Sequence, residues 1–188
     1  DFAARAAAIA AAGSVVALHA RDRSSGGAAL CRVALRLMAL ARPPEAAVFV
    51  NGRPDVAQAT AAHGVQLGAG DLRPAEARTS FPHGWVGRSV HSAPEAELAV
   101  RDGADYLVVG NVYPTTSHPG RPPGGLALVR DSARLGLPVI AIGGIDPGRA
   151  VEVRDEGAYG IAAITGLWWG ADPAAAALAL LAPWIDAA

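Results

Sequence analysis

Tyr106-Leu107-Val108-Val109-Gly110-Asn111-Val112-Tyr113-Pro114-Thr115-Thr116-Ser117-His118-Pro119-Gly120 reads as a short buried strand that gives way at once to a polar loop. The apolar run Tyr106 to Gly110 is long enough for a strand and too short for a helix. The loop is rich in hydroxyls and carries one imidazole. Beyond it, Leu126 to Leu135 has helical composition, and Pro138 to Ile142 is a second short apolar run that ends at Gly143-Gly144. Strand, helix and strand in that order form the unit of a parallel sheet with a crossover helix.

The same alternation extends in both directions. Further strands are expected at Val15 to Ala20, Ala46 to Val50, Val65 to Leu67, Trp85 to Ser89 and Gly160 to Ile164, which makes seven in all. Helices are expected at Phe2 to Ala12, Ala28 to Leu40, Pro54 to Ala62, Pro94 to Asp102, Pro147 to Glu156 and Pro173 to Ile185. Several open with proline in the first turn, where its missing N–H costs nothing. Seven strands preceded by a helix lead us to expect an eight-stranded (β/α) TIM barrel, one domain over residues 1–188, with its first strand lacking from this chain. A doubly wound open sheet is the alternative, disfavoured because no Gly-x-Gly-x-x-Gly follows the first strand.

Composition narrows the chemistry. The 16 basic and 17 acidic residues give a formal net charge of −1, which argues against a nucleic-acid partner. Every basic residue is arginine, so lysine Schiff bases and Walker-type phosphate binding are excluded. A lone cysteine, Cys31, allows neither a disulfide framework nor a thiolate metal cluster within one chain. No apolar run approaches the roughly 20 residues needed to cross a bilayer, and no signal-peptide pattern opens the chain. The expectation is a cytoplasmic protein.

Barrel enzymes carry their chemistry at the C-terminal ends of the strands. Here those positions hold His19, Arg21 and Arg23; Asn51; Gly68 and Asp71; Ser89 and His91; Asn111, Thr115, Ser117 and His118; Gly143 and Gly144; and Ile164, Thr165 and Gly166. The last two groups are the best phosphate candidates, because loops after the final barrel strands offer backbone N–H groups to a phosphate dianion. Paired glycines can also simply make a tight turn. Their coincidence with Ile164-Thr165-Gly166 favours phosphate, and the ligand should then be a small phosphate ester.

The chain resembles the thiamine phosphate synthase and thiazole tautomerase family. The resemblance rests on Val50-Asn51, Gly64-Val65-Gln66-Leu67-Gly68, Asp71-Leu72, Gly87-Arg88-Ser89-Val90-His91, Gly103-Ala104-Asp105-Tyr106, Tyr113-Pro114-Thr115, Ala141-Ile142-Gly143-Gly144-Ile145 and Gly160-Ile161-Ala162-Ala163-Ile164-Thr165-Gly166. These pieces run nearly the whole chain in the family's order.

For the synthase branch, the resemblance implies Mg²⁺ held by two carboxylates, because a departing diphosphate develops charge that must be neutralised. Asp71 matches one of them. The other would follow Asn51, where this chain has Gly52; Asp55, three residues on, reads better as a helix cap. The synthase lysine in the Thr115-Thr116-Ser117-His118 loop is replaced by His118. Both departures suit the tautomerase branch, in which the resemblance implies that a histidine in this loop is the acid/base. There a carboxylated thiazole phosphate is aromatised: a proton leaves the ring carbon bearing the carboxylate and another joins the exocyclic alkene carbon. No cofactor is expected on this reading, and Mg²⁺ only on the synthase reading. An imidazole with an ordinary pKa of about 6.5 can give and take protons at neutral pH.

The family pattern also implies substrate contacts at Arg21, Arg23, Asn51, Ser89, Asn111, Thr115 and Ser117. Guanidinium groups suit the ring carboxylate, although Arg23 could equally pair with Asp22. His19 is either a contact or a packed interior residue, and His91 either lies near the ligand or caps the Pro94 helix. Arg121-Pro122-Pro123-Gly124 suits a lid over the site or a static loop. Trp168 and Trp169 should pack in the barrel wall or at a subunit contact, and a homodimer is left open. Thiazole tautomerase is thus the first reading. Thiamine phosphate synthase is the second, and a phosphate-binding regulatory protein without catalysis is the third.

Overall fold

The computed structural model describes residues 1–13, 15–22, 24, 26–42, 45–115 and 122–185. The chain divides into two compact units, Asp1–Gly87 and Arg88–Ala188. Its fold is the TIM-barrel-like α/β class expected from the alternation, with seven parallel strands, and in each unit the strand order follows the chain.

In the first unit, helix α1 (Phe2–Ala10) starts at Asp1, whose carboxylate accepts the Ala3 N–H at 3.1 Å. Strand β1 (Ala17–Ala20) pairs in parallel with β2 (Ala47–Asn51), and β2 with β3 (Gly64–Leu67). The register sets Leu18 beside Val48, Ala20 beside Val50, and Val50 beside Val65, all buried. Helix α2 (Gly27–Ala41) buries Leu30, Ala34, Leu37 and Ala41, whose spacing makes a single stripe. Helix α3 (Pro54–Ala59) is shorter than its composition predicts, because the buried Thr60 hydroxyl donates to the Val56 carbonyl at 2.8 Å and Ala61 turns left-handed at φ 51°. A short helix, α4 (Pro74–Ala77), precedes β4 (Trp85–Val90), which begins in this unit and ends in the next.

The second unit continues with α5 (Ala93–Arg101), β5 (Tyr106–Gly110), α6 (Gly125–Ala133), β6 (Val139–Ile142), α7 (Pro147–Asp155), β7 (Gly160–Ala162), α8 (Thr165–Trp168) and α9 (Pro173–Ile185). Strand β5 pairs in parallel with β6, and β6 with β7. Leu107, Val109, Val139 and Ala141 on the strands meet Ala96, Val129 and Val153 on the helices in one core. Strand β7 stops short of the expected Ile164, because Ile164 already has helical backbone and caps α8. Trp169 does not pack into its own chain: it is 78% exposed. Among the described residues no helix is long and apolar enough to cross a membrane.

The buried Ser132 on α6 has no hydrogen-bond partner for its hydroxyl among the described residues. An unsatisfied buried hydroxyl costs roughly 1–3 kcal/mol. Ser132→Ala should therefore raise stability by about 1 kcal/mol in a urea unfolding curve. A lower midpoint than wild type would show that the hydroxyl is bonded.

Candidate functional site

A cavity of about 330 Å³ lies in the second unit, lined by His91, Gly110, Asn111, Pro114, Thr115, Ile142 to Ile145 and Ala162 to Gly166. Each of these groups sits at the C-terminal end of a strand, β4 through β7. The volume suits a small molecule. The predicted positions Asn111, Thr115, Gly143, Gly144, Ile164 and Thr165 are thus brought together.

Its floor is the turn after β6. The Ile142 carbonyl accepts the Val112 N–H at 2.9 Å, the Gly143 carbonyl accepts the Tyr113 N–H at 3.0 Å, and the Gly144 carbonyl accepts Arg149 Nη1 at 2.7 Å. In a planar trans peptide the N–H points opposite to the C=O. The N–H groups of Gly143, Gly144 and Ile145 are therefore turned away from these partners. No side chain fits in this turn. Gly143 has φ 104° and a Cβ there would stand 2.7 Å from Asn111 Cβ; Gly144 has φ 67° and its Cβ would stand 2.6 Å from the Pro114 carbonyl oxygen.

Side chains brace the loop after β5. Tyr113 donates its hydroxyl to Glu152 at 2.8 Å, and Arg149 lies 4.6 Å over its ring. Burial, then the Glu152 contact, pushes the Tyr113 pKa up to about 12, so it remains a donor. The Asn111 side chain is buried, its amide donating to the Tyr113 carbonyl at 3.4 Å. His91 turns its Nδ1 to the Gly110 carbonyl, and Ser92 rather than His91 caps α5.

The first unit gathers a different set at its own strand ends. His19 Nδ1 lies 3.1 Å from Asn51 Oδ1, with its ring stacked on Phe49 at 5.3 Å between centroids. Asp71 Oδ2 accepts the Gly68 N–H at 2.6 Å, which closes the turn after β3. Gly52 faces that carboxylate: it has φ 71°, and a Cβ on it would lie 3.0 Å from Asp71 Oδ1. The Asp55 carboxylate is engaged by Arg53 Nε at 2.8 Å, which holds it below the usual carboxylate range. A two-carboxylate Mg²⁺ site does not fit these residues. One partner is a glycine in a backbone conformation that disfavours aspartate, and the nearest alternative carboxylate is committed to arginine.

Arg21 is exposed after β1, and Ser89 is half-buried on β4. Arg23, Ser117, His118 and Arg121 lie outside the described residues. Sequence reasoning missed Arg149. The available signal was its place three residues after the Asp146 cap, where Asp146 Oδ1 accepts the Arg149 N–H at 3.0 Å.

The pattern that defines thiamine monophosphate synthase matches residues 1–167. The chain belongs to the thiamine monophosphate synthase family. It is 47% identical over 147 residues to a thiamine-phosphate synthase of Thermus thermophilus, covering 77% of this chain and 71% of the relative. With the thiamine-phosphate synthase of Chlorobium phaeovibrioides it shares 40% identity over 172 residues, covering 90% and 82%. A solved thiamine phosphate pyrophosphorylase from Pyrococcus furiosus superposes with a TM-score of 0.86 at 34% identity, covering 96% of this chain and 88% of that one. The protein is an enzyme of thiamine biosynthesis. The relatives' names point to the transferase, which the sequence analysis ranked second, rather than to the isomerase.

Gly144→Ala tests the turn. The added methyl meets the Pro114 carbonyl and the left-handed backbone disfavours it, at a cost of about 1 kcal/mol or more. If the turn holds the phosphate of a precursor, affinity for a thiazole phosphate, measured calorimetrically, should fall at least about tenfold, which is 1.4 kcal/mol. Unchanged affinity would remove the turn from the binding site.

Proposed function

We propose that this family member acts on a carboxylated thiazole phosphate and aromatises it by proton transfer, as a thiazole tautomerase. The observation that carries the reading is Gly52 beside Asp71: the position that would supply a second metal carboxylate holds a glycine at φ 71°, and Asp71 closes the Gly68 turn instead. Coupling to a pyrimidine diphosphate demands neutralisation of the leaving diphosphate, whereas isomerisation does not.

On this reading the substrate phosphate takes the N–H row of Gly143, Gly144 and Ile145, with Ile164 and Thr165 opposite in the same cavity. Asn111 and Thr115 offer neutral hydrogen-bonding groups to the heterocycle. Ser89 and Ser117 are proposed as further hydroxyl contacts, Asn51 as an amide contact, and Arg21 and Arg23 as partners of the ring carboxylate. His118 removes the proton from the carboxylate-bearing ring carbon and supplies one to the exocyclic alkene carbon. The ring gains aromaticity, so the equilibrium favours product.

The relatives' names support a second reading, thiamine-phosphate synthesis from the pyrimidine diphosphate and thiazole phosphate. Both reactions use the same phosphate cradle.

Purified protein with the unaromatised tautomer should produce thiazole absorbance at a rate unchanged by EDTA, and His118→Asn should lower that rate by about 10²-fold or more. No conversion by the wild type would sink the isomerase reading. Mg²⁺-dependent formation of thiamine phosphate from the two synthase substrates would then establish the transferase, and binding without turnover in either assay would point to a regulatory protein.

A further inference from the structure

His91 lines the phosphate cavity and has no part in the reaction as stated above. Its main chain is fixed, because its N–H donates to Glu95 Oε2 at 2.7 Å at the start of α5. Its side chain is not needed as a cap, since the Ser92 hydroxyl accepts the Glu95 N–H at 3.4 Å. The ring instead reaches across to β5 and sets Nδ1 against the Gly110 carbonyl. A carbonyl can only accept, so Nδ1 carries the hydrogen, and in the neutral ring the lone pair is then on Nε2. A base held by its main chain on one side and by its own ring on the other is preorganised.

We propose that His91 is a second acid/base group of this site. The inference rests on the isomerase reading. On this assignment the two transfers given to His118 above are divided: when the C–H bond at the carboxylate-bearing ring carbon breaks, His91 Nε2 rather than His118 takes the proton and becomes N–H, and His118 keeps only the acid step. The electron pair shifts through the ring to the exocyclic alkene carbon, which forms its new C–H bond with a proton from the acid that the proposed function already supplies. His91 leaves the step as imidazolium, and water carries its proton back to that acid, so the cycle closes without an oxidant or reductant.

The test is His91→Asn in the full chain. The asparagine amide stands close to the place of Nδ1 and can still donate to the Gly110 carbonyl, but nothing replaces Nε2. With the tautomer as substrate, kcat should fall about 10²-fold or more while KM stays within about threefold and the unfolding midpoint is kept. Retention of wild-type kcat in this variant would make His91 structural and overturn the proposal. A second measurement needs no variant: substrate deuterated at the carboxylate-bearing ring carbon should deliver no label to the exocyclic carbon of the product. Direct transfer of label would show a single proton carrier and overturn the second. A wild type that converts no tautomer overturns the isomerase reading and this role together, whereas an active wild type with an unimpaired His91→Asn overturns this role alone.

Discussion

The site depends on the lock between the ends of β5 and β6. Two backbone bonds, Val112 N–H to Ile142 and Tyr113 N–H to Gly143, join loops that would otherwise move separately. They bring the backbone so close that a methyl group at Gly143 or Gly144 would collide with Asn111 or Pro114. Once the carbonyls are spent on this lock, peptide planarity alone decides which way the N–H groups face.

The lock is reinforced from α7. Arg149 bonds the Gly144 carbonyl and lies over Tyr113, whose hydroxyl is bonded to Glu152 on the same helix. Each of these contacts is half-exposed and individually modest. Their value is geometric. They tie the turn after β6 and the loop after β5 to one helix.

The sequence disclosed the fold well because its strands are short, apolar and separated by helices with plain start signals. Pro54, Pro147 and Pro173 each open a helix as read. The misplacements came from local chemistry that periodicity does not encode. Thr60 ended α3 through its hydroxyl, and Ile164 had turned helical before the apolar run was over. Trp169, expected in the barrel wall or at a subunit contact, lies open on its own chain. In the site, residues at strand ends were legible because the fold class says where to look, and Asn111, Thr115 and the two glycine groups do share a cavity. What could not be read was side-chain commitment. Whether His91 capped a helix or faced the cavity was decided by Ser92 next to it, and Arg149 acts through a carbonyl that no motif marks.

Commitment also separates likeness to the family from identity of reaction. A carboxylate contributes to a metal site only if its lone pairs are available and a second carboxylate stands nearby. One oxygen of Asp71 accepts the Gly68 N–H, and Gly52, which faces that carboxylate, is a left-handed glycine without a side chain. Restoring aspartate at that position would require a strained φ and would set two carboxylates against each other unless a cation lay between them. The turn after β6 has no such conflict, because its close contacts with the loop after β5 are made by backbone. Within one fold, features built from backbone resist change, while side chains can be exchanged singly. His91 shows how such a side chain is placed: Glu95 holds its main chain, and the Gly110 carbonyl at the end of β5 receives its ring.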